Sequence, residues 1–253
     1  MLVALSGANA RGRMNAVPKT GEAHALPTEE RRGVYRAIHE RRDVRSQFLP
    51  DQIPDQILAR LLDAAHHAPS VGFMQPWNFI VIRDRGVRGA VRDAFLQERV
   101  RAAALYDEPR RSQFLALKLE GILDAPLNLC VTCDPARDGP HVLGRSAVPE
   151  TDVYSTCCAV QNFWLAARAE GIGVGWVSIV QPDELKRILE IPAPVIAVAY
   201  LCVGYVSDFS DTPDLERAGW RARVSLADLV FEDRWGRQEA RVRTALAGMG
   251  GAP

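Results

Sequence analysis

Short apolar runs alternate with amphipathic segments along the middle of the chain, and this alternation limits the fold class. The runs 79–82, 127–133, 175–180 and 195–203 are rich in aliphatic and β-branched residues, which is typical of buried strands. The segments between them place apolar residues at helical spacing. Because no internal repeat or linker interrupts the pattern, it predicts one domain of the α/β or α+β class.

Proline, glycine and capping residues set the expected helix limits. The last helix before the third strand is expected to end at Glu170, since Gly171 is the usual residue past a helix C-terminus. The tail after Asp208 is long and polar, and we expect it to wrap a partner subunit because it has little of its own to pack on. The expected helices are 28 to about 41, 54 to a stop at Pro69, 87–124 with a break at 107–109, 151–170 and 182–189.

The N-terminal sequence and the balance of charged residues indicate the domain limits, the partners and the location to expect. Residues 1–27 lack periodicity and predict a flexible N-terminal extension, which leaves 28–253 as a single domain. The 31 Lys and Arg residues balance 31 Asp and Glu residues, so nucleic-acid and membrane-surface partners are not expected. With no spanning apolar run and no secretory leader pattern, the expected location is cytoplasmic.

Neither the cysteines nor the paired histidines predict a metal site. Cys130 and Cys133 have C-x-x-C spacing, but they lie in an apolar strand, where residues three apart face opposite ways. We therefore expect core thiols. His66 and His67 are adjacent and do not converge if helical, and no acidic cluster completes a site.

Four segments carry polar groups in patterns that suit ligand binding. In residues 41–45 (RRDVR), Arg41 and Arg45 would share a face at a helix end and could fork onto a phosphate, or form a solvated helix terminus. In residues 68–79, two prolines, Gly72 and a tryptophan fix a rigid loop that offers Ser70 and Gln75. The alternative for this loop is a well-packed turn.

The other two segments lie later in the chain. Gly171, Gly173 and Gly175 alternate, which would let backbone approach a flat ligand closely. A dinucleotide loop follows a strand and opens a helix, whereas this one closes a helix and opens a strand, so the dinucleotide interpretation fails. The tail adds the basic residues Arg221 and Arg223.

Together these segments resemble one family. R-R-x-x-R, A-P-S-x-G-x-x-Q-P-W before a strand, G-x-G-x-G-W after a long helix and a late arginine are similar to the FMN-dependent nitroreductase-like family. Asp43 stands where general nitroreductases usually carry Ser, and 72–74 (GFM) stands where they carry an Asn. These variants resemble the 5,6-dimethylbenzimidazole synthase branch, and the resemblance covers about residues 29–236.

The resemblance implies an α+β nitroreductase-like fold with a central mixed or antiparallel sheet flanked by helices. It also implies an intertwined homodimer with an extended C-terminal arm and FMN at the subunit interface. In that family branch, reduced FMN is itself a substrate: O2 attacks it, and 5,6-dimethylbenzimidazole, the lower ligand of vitamin B12, and erythrose 4-phosphate are formed. A separate flavin reductase would supply the reduced FMN, and no metal is implied.

Carried over by position, the resemblance implies specific roles for residues of this chain. Ser70 would contact the ribityl chain or ring edge, and the backbone of Ser178 and Ile179 would lie near flavin N5. Arg41, Arg42, Arg45 and Arg223 would hold the phosphate. The full set of implied FMN-binding residues is Arg41, Arg42, Asp43, Val44, Arg45, Ser70, Gly72, Gln75, Ser178, Ile179 and Arg223.

Breaking a flavin apart needs repeated proton transfers, which calls for a carboxylate acid–base group. Asp43, set among arginines, is the catalytic candidate, and its alternative role is an ion pair with a neighbouring Arg. Ser178 could hydrogen-bond a peroxide or water, or be an ordinary strand hydroxyl. The alternative functions are an NAD(P)H-dependent FMN nitroreductase or flavin reductase and a non-catalytic dimeric flavin-binding protein. Residues 103–113 are a candidate lid.

Overall fold

The computed structural model describes residues 24–237 and 241–249. Most of the expected N-terminal extension, residues 1–27, therefore lies outside the described residues. Contacts divide the chain into two units between Arg36 and Ala37. The described part of the first unit, residues 24–36, consists mainly of the first turns of helix α1 (Thr28–Glu40).

The second unit contains a four-stranded sheet and the remaining helices. Its strands are β1 (Trp77–Ile82), β2 (Leu127–Cys133), β3 (Ile172–Val177) and β4 (Ile196–Tyr205). Its helices in the described residues are α2 (Asp55–His66), α3 (Arg85–Ala103), α4 (Arg110–Ala116), α5 (Thr151–Ala169), α6 (Pro182–Ile188), α7 (Asp214–Arg217) and α8 (Arg241–Met249).

The sheet has the order β1–β2–β4–β3, and each neighbouring pair is antiparallel. In the register, Trp77 lies opposite Cys133, Leu127 opposite Val203 and Ile172 opposite Tyr205. The expected α+β class with a helix-flanked sheet is confirmed, and its strand pairing is antiparallel.

Two apolar clusters cover the two faces of the sheet. Residues from α2 and α5, among them Leu61 and Phe163, pack on one face. Residues from α3 and α6, including Phe95 and Leu185, pack on the other. Every residue of β2 is buried, and its two polar side chains, Asn128 and Thr132, accept hydrogen bonds from Tyr200 and Asn78.

The cysteines of β2 behave as the alternation of strand side chains predicts. Cys130 belongs to the cluster beneath α3 and α6, whereas Cys133 is hydrogen-bonded to Thr156 of α5 on the other face. Burial raises the pKa of the Cys130 thiol to about 12, so it stays protonated. The expectation of buried core thiols is confirmed for this pair.

Two expected elements are wrong in extent. The third strand spans Ile172–Val177, three residues before the expected 175–180, because its glycines hide the apolar alternation. The helix expected to reach residue 124 ends at Ala116, since Leu117 has an extended backbone. A β-carbon on Gly121 would lie 2.7 Å from a ring carbon of Phe48, so this segment passes too close to its neighbours for a continuing side-chain-bearing helix.

Candidate active site

Asp43 lies against the outer edge of β3, because the segment after α1 runs beside that strand. Asp43 forms a parallel bridge with Val174, and the Val44 N–H donates to the Val174 carbonyl at 3.0 Å. The Trp176 N–H donates to Asp43 Oδ1 at 2.9 Å. One carboxylate oxygen is therefore fixed by the backbone of a core strand.

The alternating glycines make this approach possible. A β-carbon on Gly175 would lie 2.0 Å from the Val44 carbonyl oxygen, and one on Gly173 would lie 2.3 Å from Val206. The space left by the missing side chains is thus filled by this chain's own backbone and valines. The expectation that the glycines expose backbone to a flat ligand is wrong for these two positions.

Charges around Asp43 oppose the effect of its burial. Its side chain is 32% exposed, and Arg45 Nη2 contacts Oδ2. Burial raises the pKa of the carboxyl group above its ordinary value, while Arg45, the Trp176 N–H and Arg41 lower it and Asp214 raises it further. A carboxyl group balanced in this way is suited to accepting and returning a proton.

The arginines of residues 41–45 have different surroundings. Helix α1 ends at Glu40, so the expectation that Arg41 and Arg45 share a helix face is wrong. The Arg41 guanidinium lies 4.6 Å from the ring centroid of Trp164, whose indole N–H donates to the Arg42 carbonyl at 3.2 Å. Burial lowers the pKa of Arg41, Asp43 raises it, and Arg42 and Arg223 lower it.

Arg42 closes the end of α1. Its Nη1 donates to the carbonyls of His39 and Arg41 at 2.8 Å each, and its Nη2 donates to the Asp211 carbonyl. Its Nε is buried and has no partner in the described part of the chain. Within the second unit, Arg42 therefore links residues 39–41 to Asp211 of the C-terminal segment, and its Nε remains an unused donor.

A cavity of about 870 Å³ lies beside these arginines. Its volume is within the range of small-molecule and cofactor sites. Arg41, Arg42 and Arg223 are brought together here, whereas Arg45 lies outside the lining. The polar side chains that line the cavity are His39, Arg41, Arg42, Gln161, Asp211, Thr212, Glu216 and Arg223.

The loop before β1 is held by a hydrogen bond between its own residues. Ser70 Oγ accepts the Gln75 N–H at 3.0 Å, and Gln75 has a positive φ of 49°. Gly72 also has a positive φ, of 53°, and a β-carbon there would lie 2.6 Å from a methyl carbon of Val142. Gly72 adopts this conformation readily, whereas a positive φ at a non-glycine residue such as Gln75 is uncommon.

Ser70 and α5 line a second cavity, of about 250 Å³, together with Tyr154 and Cys158. Gln161 of α5 lines the larger cavity. Since positions 154, 158 and 161 follow helical spacing, one face of α5 borders both cavities. The same face of α5 therefore borders the cavity beside the Ser70 loop and the cavity lined by the arginines.

Ser178 and Ile179 follow the last residue of β3. Ser178 is exposed and Ile179 half-buried, two and three residues past Trp176, whose N–H holds Asp43. In the described residues Ser178 Oγ has no protein hydrogen-bond partner. Its hydroxyl is therefore available to a ligand at this edge.

Residues 103–113 pack on the C-terminal segment. The Arg110 guanidinium lies 3.4 Å from the ring centroid of Trp220, and Tyr106 meets the same ring edge-on at 5.6 Å.

His66 Nδ1 accepts the Trp77 indole N–H at 3.1 Å. His66 thus makes a packing contact beside the loop.

Sequence reasoning missed Trp164, Asp214 and Gln161. Trp164 has the apolar spacing of a core residue, and the spacing carries no sign of its contact with Arg41. Asp214 lies in the polar tail, where nothing in the pattern indicates proximity to Asp43.

Within the described ranges, no three His, Cys, Asp or Glu side chains are grouped as metal ligands, and no helix is long and apolar enough to span a membrane.

The model of the nitroreductase family matches residues 38–205. A relative from Rhodospirillum rubrum, named 5,6-dimethylbenzimidazole synthase, is 46% identical over 183 residues, which cover 72% of this chain and 86% of the relative. The chain belongs to the nitroreductase family, in its 5,6-dimethylbenzimidazole synthase branch. A relative of the same name from Rhodobacter capsulatus is 40% identical over 186 residues, 73% of this chain and 88% of the relative.

A solved structure supports the fold of this nitroreductase-family chain. Oxidized iodotyrosine deiodinase bound to FMN and 3-iodo-L-tyrosine superposes with a TM-score of 0.60 at 21% identity, covering 76% of this chain and 96% of that chain. At this identity the likeness establishes the fold alone. The expected family and nitroreductase-like fold are confirmed, and the chain is an enzyme, as the synthases among its relatives are.

Proposed function

We propose that this enzyme uses O2 to fragment reduced FMN, releasing 5,6-dimethylbenzimidazole, erythrose 4-phosphate and the remaining pyrimidine part of the ring system as a third fragment. One observation carries the proposal: the 46% identical relative, matched over 86% of its length, is named 5,6-dimethylbenzimidazole synthase. The position of Asp43 supports the chemistry, because it places a half-buried carboxylate, held by the Trp176 N–H, where it can exchange protons.

The residues beside the 870 Å³ cavity fit a flavin phosphate. Arg41, Arg42 and Arg223 all line it, and among the residues that the structure describes the buried Arg42 Nε has no hydrogen-bond partner. Arginine is suited to phosphate because its donors form a planar fork. We assign these three residues to the phosphate end of FMN. Contacts of Val44, Ser70, Gly72, Gln75 and Ile179 with the flavin stay predictions.

Reduced FMN supplies both the electrons for O2 and the carbon and nitrogen atoms of the product. In this assignment, Asp43 accepts a proton from a ribityl hydroxyl or a ring position and later returns it. The Trp176 N–H keeps Oδ1 in place during both transfers. Ser178 offers a hydroxyl to a peroxide or water at the same edge of β3.

We further propose a homodimer that encloses FMN between its subunits. Tyr154 on the α5 face is 57% exposed, and Phe73 and Leu143 beside the loop are 80% and 85% exposed. A second copy would cover these side chains, and the C-terminal arm, including the 92% exposed Trp235, would extend over the partner.

The proposed reaction consumes its flavin, so each turnover needs a new molecule of reduced FMN. We therefore propose that a separate flavin reductase supplies it. This need for a second enzyme distinguishes the proposed reaction from that of an NAD(P)H-dependent nitroreductase, in which one bound FMN is reduced repeatedly. A cytoplasmic location stays a prediction.

The test is aerobic incubation of the protein with chemically reduced FMN. We expect less oxidised FMN absorbance to return than in the controls and a benzimidazole to appear in the mass spectrum. Protein-free and boiled-protein samples control for spontaneous oxidation. Return of oxidised FMN without the benzimidazole would refute the proposal, and consumption of NADH by the protein alone would instead favour the nitroreductase.

A further inference from the structure

Arg45 differs from the other arginines of its motif. Its side chain is only 11% exposed, and it does not line the cavity that Arg41, Arg42 and Arg223 share. Its Nη2 contacts Asp43 Oδ2, and its Nε is buried without a partner in the described residues. Arg45 is thus directed toward a carboxylate of its own chain.

The two oxygens of Asp43 are held from two sides. The Trp176 N–H on β3 holds Oδ1, and Arg45 holds Oδ2. Three charged groups influence the carboxylate: Arg45 and Arg41 from its own segment, and Asp214 from the C-terminal segment. Of the two cations, Arg45 has the larger effect and makes the direct contact.

We infer that Arg45 is a positioning residue that acts through Asp43, keeping the carboxylate ionised and fixed in one orientation rather than binding the flavin phosphate. Its effect on turnover rests on the proposed function; its effect on Asp43 does not. An ion pair of this kind, with one partner almost fully buried, also defines the side-chain rotamer of Asp43, since movement of the carboxylate would leave a buried guanidinium without its partner.

The direct experiment titrates Asp43 in the flavin-free protein by infrared spectroscopy, with Asp43→Asn identifying its carboxyl band. A nearby cation lowers the pKa of a carboxyl group, so Arg45→Gln should raise the pKa of Asp43. Arg45→Lys keeps a charge and should titrate closer to the wild type. An Asp43 band that titrates identically in the wild type and Arg45→Gln would overturn the inference.

The second measurement is the pH profile of benzimidazole formation. If ionised Asp43 is the base, Arg45→Gln should move the acid limb of the profile to higher pH by the same amount as the infrared titration. Arg223→Gln is the matched control, because it removes a cavity arginine that does not contact Asp43. It should raise the concentration of reduced FMN needed for half-maximal rate and leave the acid limb in place.

The outcomes separate the two proposals. A shifted Asp43 titration in a protein that forms no benzimidazole defeats the proposed function and supports the role of Arg45. If Arg45→Gln does not fold, Arg45→Lys decides, with a lower maximal rate and unchanged FMN affinity expected. Loss of FMN affinity in Arg45→Lys equal to that in Arg223→Gln would show that Arg45 binds phosphate and would refute the inference.

Discussion

Asp43 is the residue on which the proposed chemistry depends. Arg41 lines the cavity, whereas Arg45 contacts the Asp43 carboxylate. In the proposed function, residues 41–45 therefore supply both a group that holds an anion and a group that sets the charge of a base. This division arises because α1 ends at Glu40 and residues 43–44 continue as extended backbone along β3. A continuing helix would have placed Arg41 and Arg45 together.

Asp43→Asn should abolish product while leaving FMN affinity largely intact. The amide oxygen can still accept the Trp176 N–H, but the side chain no longer takes up a proton. General acid–base groups contribute about 10²–10⁴-fold, so benzimidazole formation should fall by that factor. Single-turnover product yield and a flavin-binding titration measure the two effects.

The matched control for this change is Arg223→Gln, for which we expect the opposite split: weaker FMN binding with turnover restored at high FMN. If binding by Asp43→Asn falls in step with its turnover, Asp43 is structural and its assigned role is wrong. Thermal unfolding of both variants checks that neither effect comes from loss of fold.

At the scale of elements, the alternating glycines of β3 can be recognised from the sequence, but the reason expected for them, close approach to a flat ligand, is wrong at Gly173 and Gly175. The glycines were identified, but their purpose depends on Val44 and Val206, which are distant in sequence from Gly173 and Gly175. Periodicity reports which face of a strand is buried, and it carries no information on which backbone approaches its edge. The bond from Trp176 to Asp43 was unpredictable for the same reason.

Gly175→Ala should destabilise the fold and move Asp43. Its β-carbon would lie 2.0 Å from the Val44 carbonyl oxygen, and backbone can yield only by shifting the whole 43–44 segment. We expect a loss of about 1–3 kcal/mol in the free energy of unfolding, the usual cost of overpacking, together with reduced product formation. Denaturant unfolding and the aerobic FMN assay measure these effects.

Gly89→Ala is the control, because Gly89 lies in α3 with nothing within 4 Å of its β-carbon position. Alanine is favoured over glycine in a helix by about 1 kcal/mol, so this variant should be as stable as the wild type or more so. Equal stability of the two alanine variants would contradict the close-approach explanation.

For the whole molecule, the alternation of apolar runs and helical segments was enough to predict one domain of the α/β or α+β class and the exact limits of the buried strand β2. The family resemblance implied the α+β class and a mixed or antiparallel sheet flanked by helices, and the observed strand pairing is antiparallel. Neither the apolar pattern nor the resemblance predicted where α4 ends. The chain after α4 passes close to Phe48 at Gly121, and such a contact between segments distant in sequence has no local sequence pattern. The homodimer and its C-terminal arm also stay predictions, since subunit contacts leave no periodic pattern in one chain.

Tyr154→Glu should separate the proposed dimer into monomers and weaken FMN binding. Tyr154 is 57% exposed beside the Ser70 cavity, on the α5 face that also borders the arginine cavity. A carboxylate there would be desolvated by a second copy, which is costly unless the charge is paired. Val100→Glu, at a 67% exposed position on α3, is the control and should remain dimeric with normal FMN affinity. Sedimentation of both variants, with and without FMN, makes the comparison. A Tyr154→Glu protein that sediments like the wild type would place the subunit interface on another face.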